Sequence, residues 1–285
     1  MTEPDAPMWV RYTVIGPAAL LTLDHPPVNV LSREVLDALR AALDRAEEDA
    51  QVRVVVIASA AEKAFAAGAN IREMVSLDPK GAREHGARGQ AVARRIEGLS
   101  IPVIAAVHGA CLGGGCEIAL ACDAIVASQD ATFGQPEVNL GVMPGWGGTQ
   151  RLPRRIGPSA ARLWIYSGRP FLASEAQALG LVAKVVPREE LMAAALLLAK
   201  EWAGKPAAAL TAAKRALQVA GDMPLDRGLT EELRMWAGLF GTPDQREGMR
   251  AFLDKQSWKP VARKVSRRTS GSGRARRRRS AGRQA

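Results

Sequence analysis

The stretch LGGGCEIAL, residues 112–120, sets three successive glycines and one glutamate in an otherwise apolar run. Glycine suits neither a helix interior nor a strand interior, because it loses more conformational freedom on folding than any other residue. A carboxylate in apolar surroundings is costly unless something compensates it. Just upstream, 103–107 is a short Val/Ile/Ala run entered through Pro102, the pattern of a strand covered on both faces. Just downstream, 116–121 reads as an apolar helix. A strand that ends in Gly113-Gly114-Gly115 and feeds a helix presents unpaired backbone N–H groups at the positive end of the helix dipole. Without a Cβ, an anion, or an oxygen that becomes anionic, can approach that backbone closely.

A phosphate loop would need Gly-Lys-Ser/Thr here, and a dinucleotide fingerprint would need G-x-G-x-x-G; the stretch supplies neither. Taken alone, the triplet also fits a tight turn with no chemistry. The β-branched run 54–59 has a similar exit in AFAAGAN (64–70), small-residue loop material that brings backbone close to a neighbour. Two strand ends, each with a free amide, could hold one carbonyl oxygen between them. Glu117 by itself reads as an acid stabilising a helix N-terminus, and Glu137, in FGQPEVNLG, as a surface loop acid. Together they suit a site in which one carboxyl takes a proton while the other gives one, because burial and mutual repulsion hold one member of such a pair protonated.

The remaining chain reads as α/β in its first two thirds and mostly helical after that. The segments 9–15 and 19–24 form a strand pair, and Ser32 caps a helix running to about residue 50 with Val35, Leu36, Leu39, Leu43 and Ala46 on one face. A polar helical region extends to about residue 99, and 124–127 is a third buried strand. From 132 to 153 the sequence reads as loop, 181–186 as a strand, and 189–203, 206–220 and 225–240 as helices.

With 285 residues and 47% hydrophobic content, the chain can bury a sizeable core. No run of 18 uncharged apolar residues predicts a membrane span, and the start lacks the pattern of a signal peptide. Cys111, Cys116 and Cys122 fall within twelve residues, an odd cluster that suits a reducing compartment and lacks metal-finger spacing. A cytoplasmic protein is expected. The net charge of +10 is concentrated at one end: residues 259–285 hold eleven Lys or Arg and no acid, leaving 28 basic against 29 acidic residues in 1–258. That tail is expected to be disordered, with a nonspecific nucleic-acid or anionic-surface contact as its sharper reading.

The segments AFAAGANIREM, IPVIAAVHGACLGGGCEIALACD, FGQPEVNLGVMPGWGGTQRLPRRIG and TPDQREGMRAFLDK together resemble the enoyl-CoA hydratase (crotonase) family over about residues 8–258. The resemblance implies a spiral of ββα turns over 1–200, a helical trimerisation region over 201–258, and a homotrimer or a hexamer built of two trimers. It implies reversible syn addition of water to a 2-trans-enoyl-CoA, as in fatty-acid β-oxidation. Coenzyme A is then part of the substrate, and neither a separate cofactor nor a metal is expected. The backbone N–H groups of Ala69 and Gly114 would polarise the thioester carbonyl. Glu117 and Glu137 would grip the reacting water, which the Gly145 backbone also touches. Ala67, Ala69, Asn70, Ile71 and Arg72 would meet the CoA moiety.

Some positions depart from the family pattern. Asn70 replaces the usual Asp, keeping the hydrogen-bonding shape without the charge, and Arg72 stands where Lys is common. His108 stands where Asn is frequent and reads as a satisfied residue behind the site. Trp146 either trims the acyl pocket or packs in the core. Two alternatives accompany the hydratase reading: a double-bond isomerase of the same superfamily, which needs only one of the two carboxyls, and an RNA-binding member that uses the basic tail.

Overall fold

A computed structural model describes residues 8–263. The chain opens with an antiparallel pair, β1 (Val10–Ile15) and β2 (Ala18–Leu23), followed by α1 (Arg33–Glu48). Ser32 caps α1, its hydroxyl accepting from the Val35 amide, and the apolar face that α1 buries includes Val35, Leu36, Leu39, Leu43 and Ala46. Then comes a repeated unit of two strands and a helical segment. In the first unit β3 (Val54–Ser59) and β4 (Ala64–Ala66) precede α2 (Ile71–Met74) and α3 (Pro79–Glu97). The second has β5 (Val103–Val107), β6 (Ala110–Leu112) and α4 (Gly114–Ala121), and the third has β7 (Ala124–Ser128), β8 (Thr132–Gly134) and a 3₁₀ turn over Pro136–Leu140.

Each unit gives one strand to each of two sheets. The larger runs β1-β2-β3-β5-β7-β10 and the smaller β4-β6-β8-β9, where β9 is Phe171–Leu172 and β10 is Lys184–Val186. Pairing from β2 onward in the larger sheet is parallel. This is the ββα spiral that the family resemblance implied. Its consequence is that the ends of β4, β6 and β8 lie side by side, so the turns leaving them meet.

After the spiral come α5 (Gly148–Ile156), α6 (Pro158–Ser167), α7 (Ala173–Ala178) and α8 (Leu191–Ala203), then α9 (Ala207–Ala220), α10 (Leu225–Ala237) and α11 (Pro243–Leu253). One face of the large sheet packs on α1 and α3. The other, with Val54, Val56, Ile104, Ala106 and Val126, is covered by Leu191, Ala195, Ala199 and Ala203 of α8. Cover on both faces is why β3, β5 and β7 carry unbroken apolar runs. Lys214 of α9 is buried and bonds Asp123 at 2.8 Å together with the Ile96 and Ile101 carbonyls, tying the late helices to the spiral.

Several expectations are corrected. The region 132–153, read as loop, contains β8, the 3₁₀ turn and most of α5, with Pro153 inside that helix. Of the strand expected over 181–186, only Lys184–Val186 pairs, because the amides of Leu181 and Val182 are used by the Ala176 carbonyl at the end of α7. AFAAGAN begins with strand β4 rather than loop. The tail does not begin at 259. Val261 N–H donates to Asp244, and the Arg263 guanidinium donates to the Asp49 and Val52 carbonyls and to Glu47. Composition missed this because one arginine can be held by carbonyls that only the fold assembles. Residues 264–285, the rest of that stretch, lie outside the described residues.

Candidate active site

The two glycine-bearing turns predicted to cooperate are neighbours. Gly68 has φ +103°, and a methyl group on it would stand 3.3 Å from the Leu112 carbonyl oxygen and 3.8 Å from the Gly114 nitrogen. The approach is closer still at Gly115, where a methyl group would lie 2.2 Å from the Ala66 carbonyl oxygen. So the triplet brings α4 against β4, a contact no side chain would permit. Gly113 (φ +50°) turns the chain from β6 into α4, its N–H donating to the Gly134 carbonyl. Gly114 is the first residue of α4, so its amide has no intrahelical partner. Among the described residues, neither the Ala69 nor the Gly114 N–H reaches a backbone acceptor. Ala67 differs, since its N–H donates to the Val28 carbonyl at 3.0 Å.

Glu117 lies in the first turn of α4 and is 2% exposed. Its Oε1 accepts from two backbone amides, Trp146 and Gly148, at 2.7 Å each. Gly147 between them, at φ +118°, makes the turn that aims both N–H groups at one oxygen. Burial raises the Glu117 carboxyl above the usual range, while these amides and Arg151 pull it back down. Arg151 is itself fixed, forked onto Glu97 at 2.6 and 2.7 Å and donating to the Trp146 carbonyl at 2.9 Å.

Glu137 is in the 3₁₀ turn that follows β8 and is half-buried. A methyl group on Gly113 would stand 3.2 Å from its Oε1, which puts the carboxyl beside the start of α4. Burial, aided by the Glu117 charge, pushes Glu137 up to about 7. Turned to donate, the buried Gln135 amide lies 3.0 and 3.2 Å from the two Glu137 oxygens. Burial thus raises both carboxyls, but their partners differ: Glu117 accepts from two backbone amides that favour its charge, whereas Glu137 has the Gln135 amide and the nearby Glu117 charge.

Gly145 is exposed, and its carbonyl accepts from Gln90 of α3 at 2.9 Å. Asn70 caps α2, accepting from the Arg72 amide at 3.1 Å while its own amide donates to Glu73 at 2.8 Å. Ile71 and Arg72 are exposed next to it. His108 lies 2.7 Å from the Ala61 carbonyl, a satisfied ring as expected. The three cysteines are buried and unpaired; burial pushes the Cys122 thiol up to about 12 and raises Cys111 as well. Among the described residues, no group of three or more His, Cys, Asp or Glu is placed to hold a metal, and no helix is long and apolar enough to cross a membrane.

Sequence reasoning missed three residues and the role of one backbone amide. Asn29 (φ +52°) is fully buried and donates to the Leu23 and Phe65 carbonyls and the Ser59 hydroxyl, pinning the segment that leads into Ala69. Arg151, Gln135 and the Trp146 amide act on the carboxyls as described. Only GWGG carried a visible signal, since paired glycines flanking one bulky residue mark a tight turn.

Comparison with known proteins gives a consistent result. A family described as enoyl-CoA hydratase/isomerase matches residues 16–260. A crotonyl-CoA hydratase of Syntrophomonas wolfei is 42% identical over 84% of this chain and 92% of its own. A short-chain-enoyl-CoA hydratase of Clostridium acetobutylicum is 40% identical over 85% of this chain and 93% of its own. The crystal structure of a Bacillus anthracis enoyl-CoA hydratase superposes with a TM-score of 0.84 at 36% identity, covering 89% of this chain and 98% of that one. By fold and by these similarities, the chain belongs to the enoyl-CoA hydratase/isomerase family.

Proposed function

We propose that the chain is a hydro-lyase, an enoyl-CoA hydratase, and that the observation carrying the mechanism is the unequal pair Glu117 and Glu137 beside two unpartnered amides. The Ala69 and Gly114 N–H groups form an oxyanion hole for the thioester carbonyl. Drawing electron density onto that oxygen makes C3 of a 2-enoyl chain electrophilic and stabilises the enolate formed on addition. Glu117, favoured as the anion by the Trp146 and Gly148 amides, removes a proton from the water attacking C3. Glu137, neutral below about pH 7, gives its proton to C2. The reverse sequence dehydrates a 3-hydroxyacyl thioester. The backbone at Gly145 faces the same water, and Ala67, Asn70, Ile71 and Arg72 border the CoA moiety, which arrives as part of the substrate. An isomerase would need one carboxyl only.

A homotrimer, alone or paired into a hexamer, is the assembly we favour. Leu225, Leu229, Leu233, Trp236 and Phe240 recur every three or four residues along α10 and just beyond it, and all are 46% exposed or more in the single chain. Cytoplasmic location and an anionic contact through the basic tail complete the reading.

The test is turnover of crotonyl-CoA, followed by loss of the enoyl thioester's ultraviolet absorbance. Glu117→Gln and Glu137→Gln should each lower kcat by about 10²–10⁴ with the fold retained. Near-wild-type turnover in either variant would remove it from the mechanism.

A further inference from the structure

Taking the hydratase reading as given, we propose that Trp146 closes the acyl end of the site and restricts it to short 2-enoyl chains, with Gly89 making room for the ring.

Trp146 serves the site twice. Its amide donates to Glu117, and its side chain, 3% exposed, turns between α3 and α4. A methyl group on Gly114 would stand 2.5 Å from Cζ3 and 2.7 Å from Cε3, so the six-membered ring rests against the residue whose amide polarises the carbonyl. On the far side, a methyl group on Gly89 would stand 2.1 Å from Cδ2 and 2.3 Å from Cε2 and Cγ. The indole therefore fills the gap between the two helices and leaves no room for a β-carbon on either. His85, one turn before Gly89, packs on the ring with centroids 5.7 Å apart. Gln90, next to Gly89, holds the Gly145 carbonyl and so keeps the turn bearing Trp146 seated on α3.

This packing answers two questions. Gly89 sits inside a nineteen-residue helix, where alanine would favour the helix more; the ring explains why no larger residue fits. The placement also decides what space remains for substrate. With the carbonyl at the Gly114 amide and the water at Glu117, C2 and C3 lie against the first turn of α4. Carbons beyond C3 that run on past this turn then meet the indole packed against Gly114. A short enoyl group avoids the ring, and a long one must displace it from a packed position.

The experiment measures kcat/KM of the full chain for trans-2-enoyl-CoA substrates of four, six, eight and ten carbons. The wild type should lose about tenfold or more between four and ten carbons. Trp146→Ala should raise the ten-to-four carbon ratio by about tenfold, and Trp146→Phe should raise it less. Gly89→Ala should lower turnover at every length, and adding Trp146→Ala to it should restore turnover, because the clash is removed. A flat wild-type profile overturns the proposal. So does an unchanged ratio in Trp146→Ala or, if that variant does not fold, in Trp146→Phe. Failure of folded wild-type protein to hydrate a chain of any length overturns the hydratase reading itself, whereas a flat profile overturns only the length limit.

Discussion

The backbone amide of Trp146 donates to Glu117 Oε1 across 2.7 Å, linking residues twenty-nine positions apart. Through this bond and its twin from Gly148, the turn that carries the indole also counters the effect of burial on Glu117, the base in the proposed mechanism. Amide donors stabilise a carboxylate without bringing a competing acid, and they cannot rotate away.

Hydration should have an alkaline limb. In the proposed mechanism addition of water needs Glu137 protonated, and its value of about 7 includes the influence of the Glu117 charge. The kcat/KM for crotonyl-CoA should fall above an apparent pKa near 7, and should fall again at low pH as Glu117 protonates. A profile flat from acid through alkaline pH would exclude Glu137 as the proton donor.

Glu137→Gln should stabilise the protein at alkaline pH while abolishing most activity. The folded-state pKa of Glu137 is raised from 4.5 to about 7. Its contribution is therefore fully present below pH 4.5 and is lost as pH rises through about 7. At pH 8 the variant avoids burying a charge and should unfold at a higher denaturant concentration, with a gain of about 1–3 kcal/mol. Near pH 4.5 the difference should vanish. Equal stability at both pH values would refute the raised pKa.

Gly115→Ala tests the approach of the two turns. The added methyl would meet the Ala66 carbonyl oxygen at 2.2 Å, and neither backbone can yield without moving β4 or α4. A loss of about 1–3 kcal/mol in denaturant unfolding is expected, together with lower kcat from separation of the Ala69 and Gly114 amides. Wild-type turnover would show that this spacing does not matter.

Asn29→Ala removes four side-chain hydrogen bonds: three donated to Leu23, Ser59 and Phe65, and one accepted from the His25 amide. The Leu23 and Phe65 carbonyls would be left without this donor, costing on the order of 3 kcal/mol. Thermal unfolding should reveal the loss, and a melting temperature within a degree of wild type would contradict it.

Arg263→Ala probes the end of the body. The side chain is 6% exposed and donates to the Asp49 and Val52 carbonyls and to Glu47. Removing it should cost about 1–3 kcal/mol, measured by chemical denaturation, with little change in kcat. An unchanged unfolding midpoint would return this residue to the tail.

Much of the fold was legible because its determinants are local. Ser32 caps α1 through an amide three residues away, and the runs ending at Ser59 and Val107 declare buried strands by composition alone. The glycine triplet and the two glutamates stood out as candidates, since residues of those kinds are costly in an apolar setting. Other features were not legible because they depend on contacts between distant parts of the chain. Pro153 suggested a break, yet α5 runs through it. Arg263 looked like part of a solvated run, yet its guanidinium meets carbonyls at the end of α1 and in the turn before β3.

The amino-acid order alone determined much of the alternation of strands and helices, and through its resemblance to a known family it pointed to the spiral and to two candidate acids. Only the tertiary structure decided which donors each of the two meets, and that the Trp146 ring is buried in the core between α3 and α4 while its amide reaches Glu117. The reason is physical. Secondary structure follows from neighbours along the chain, whereas a carboxyl's charge and a ring's position follow from burial and from donors that the chain brings together only when its turns stack.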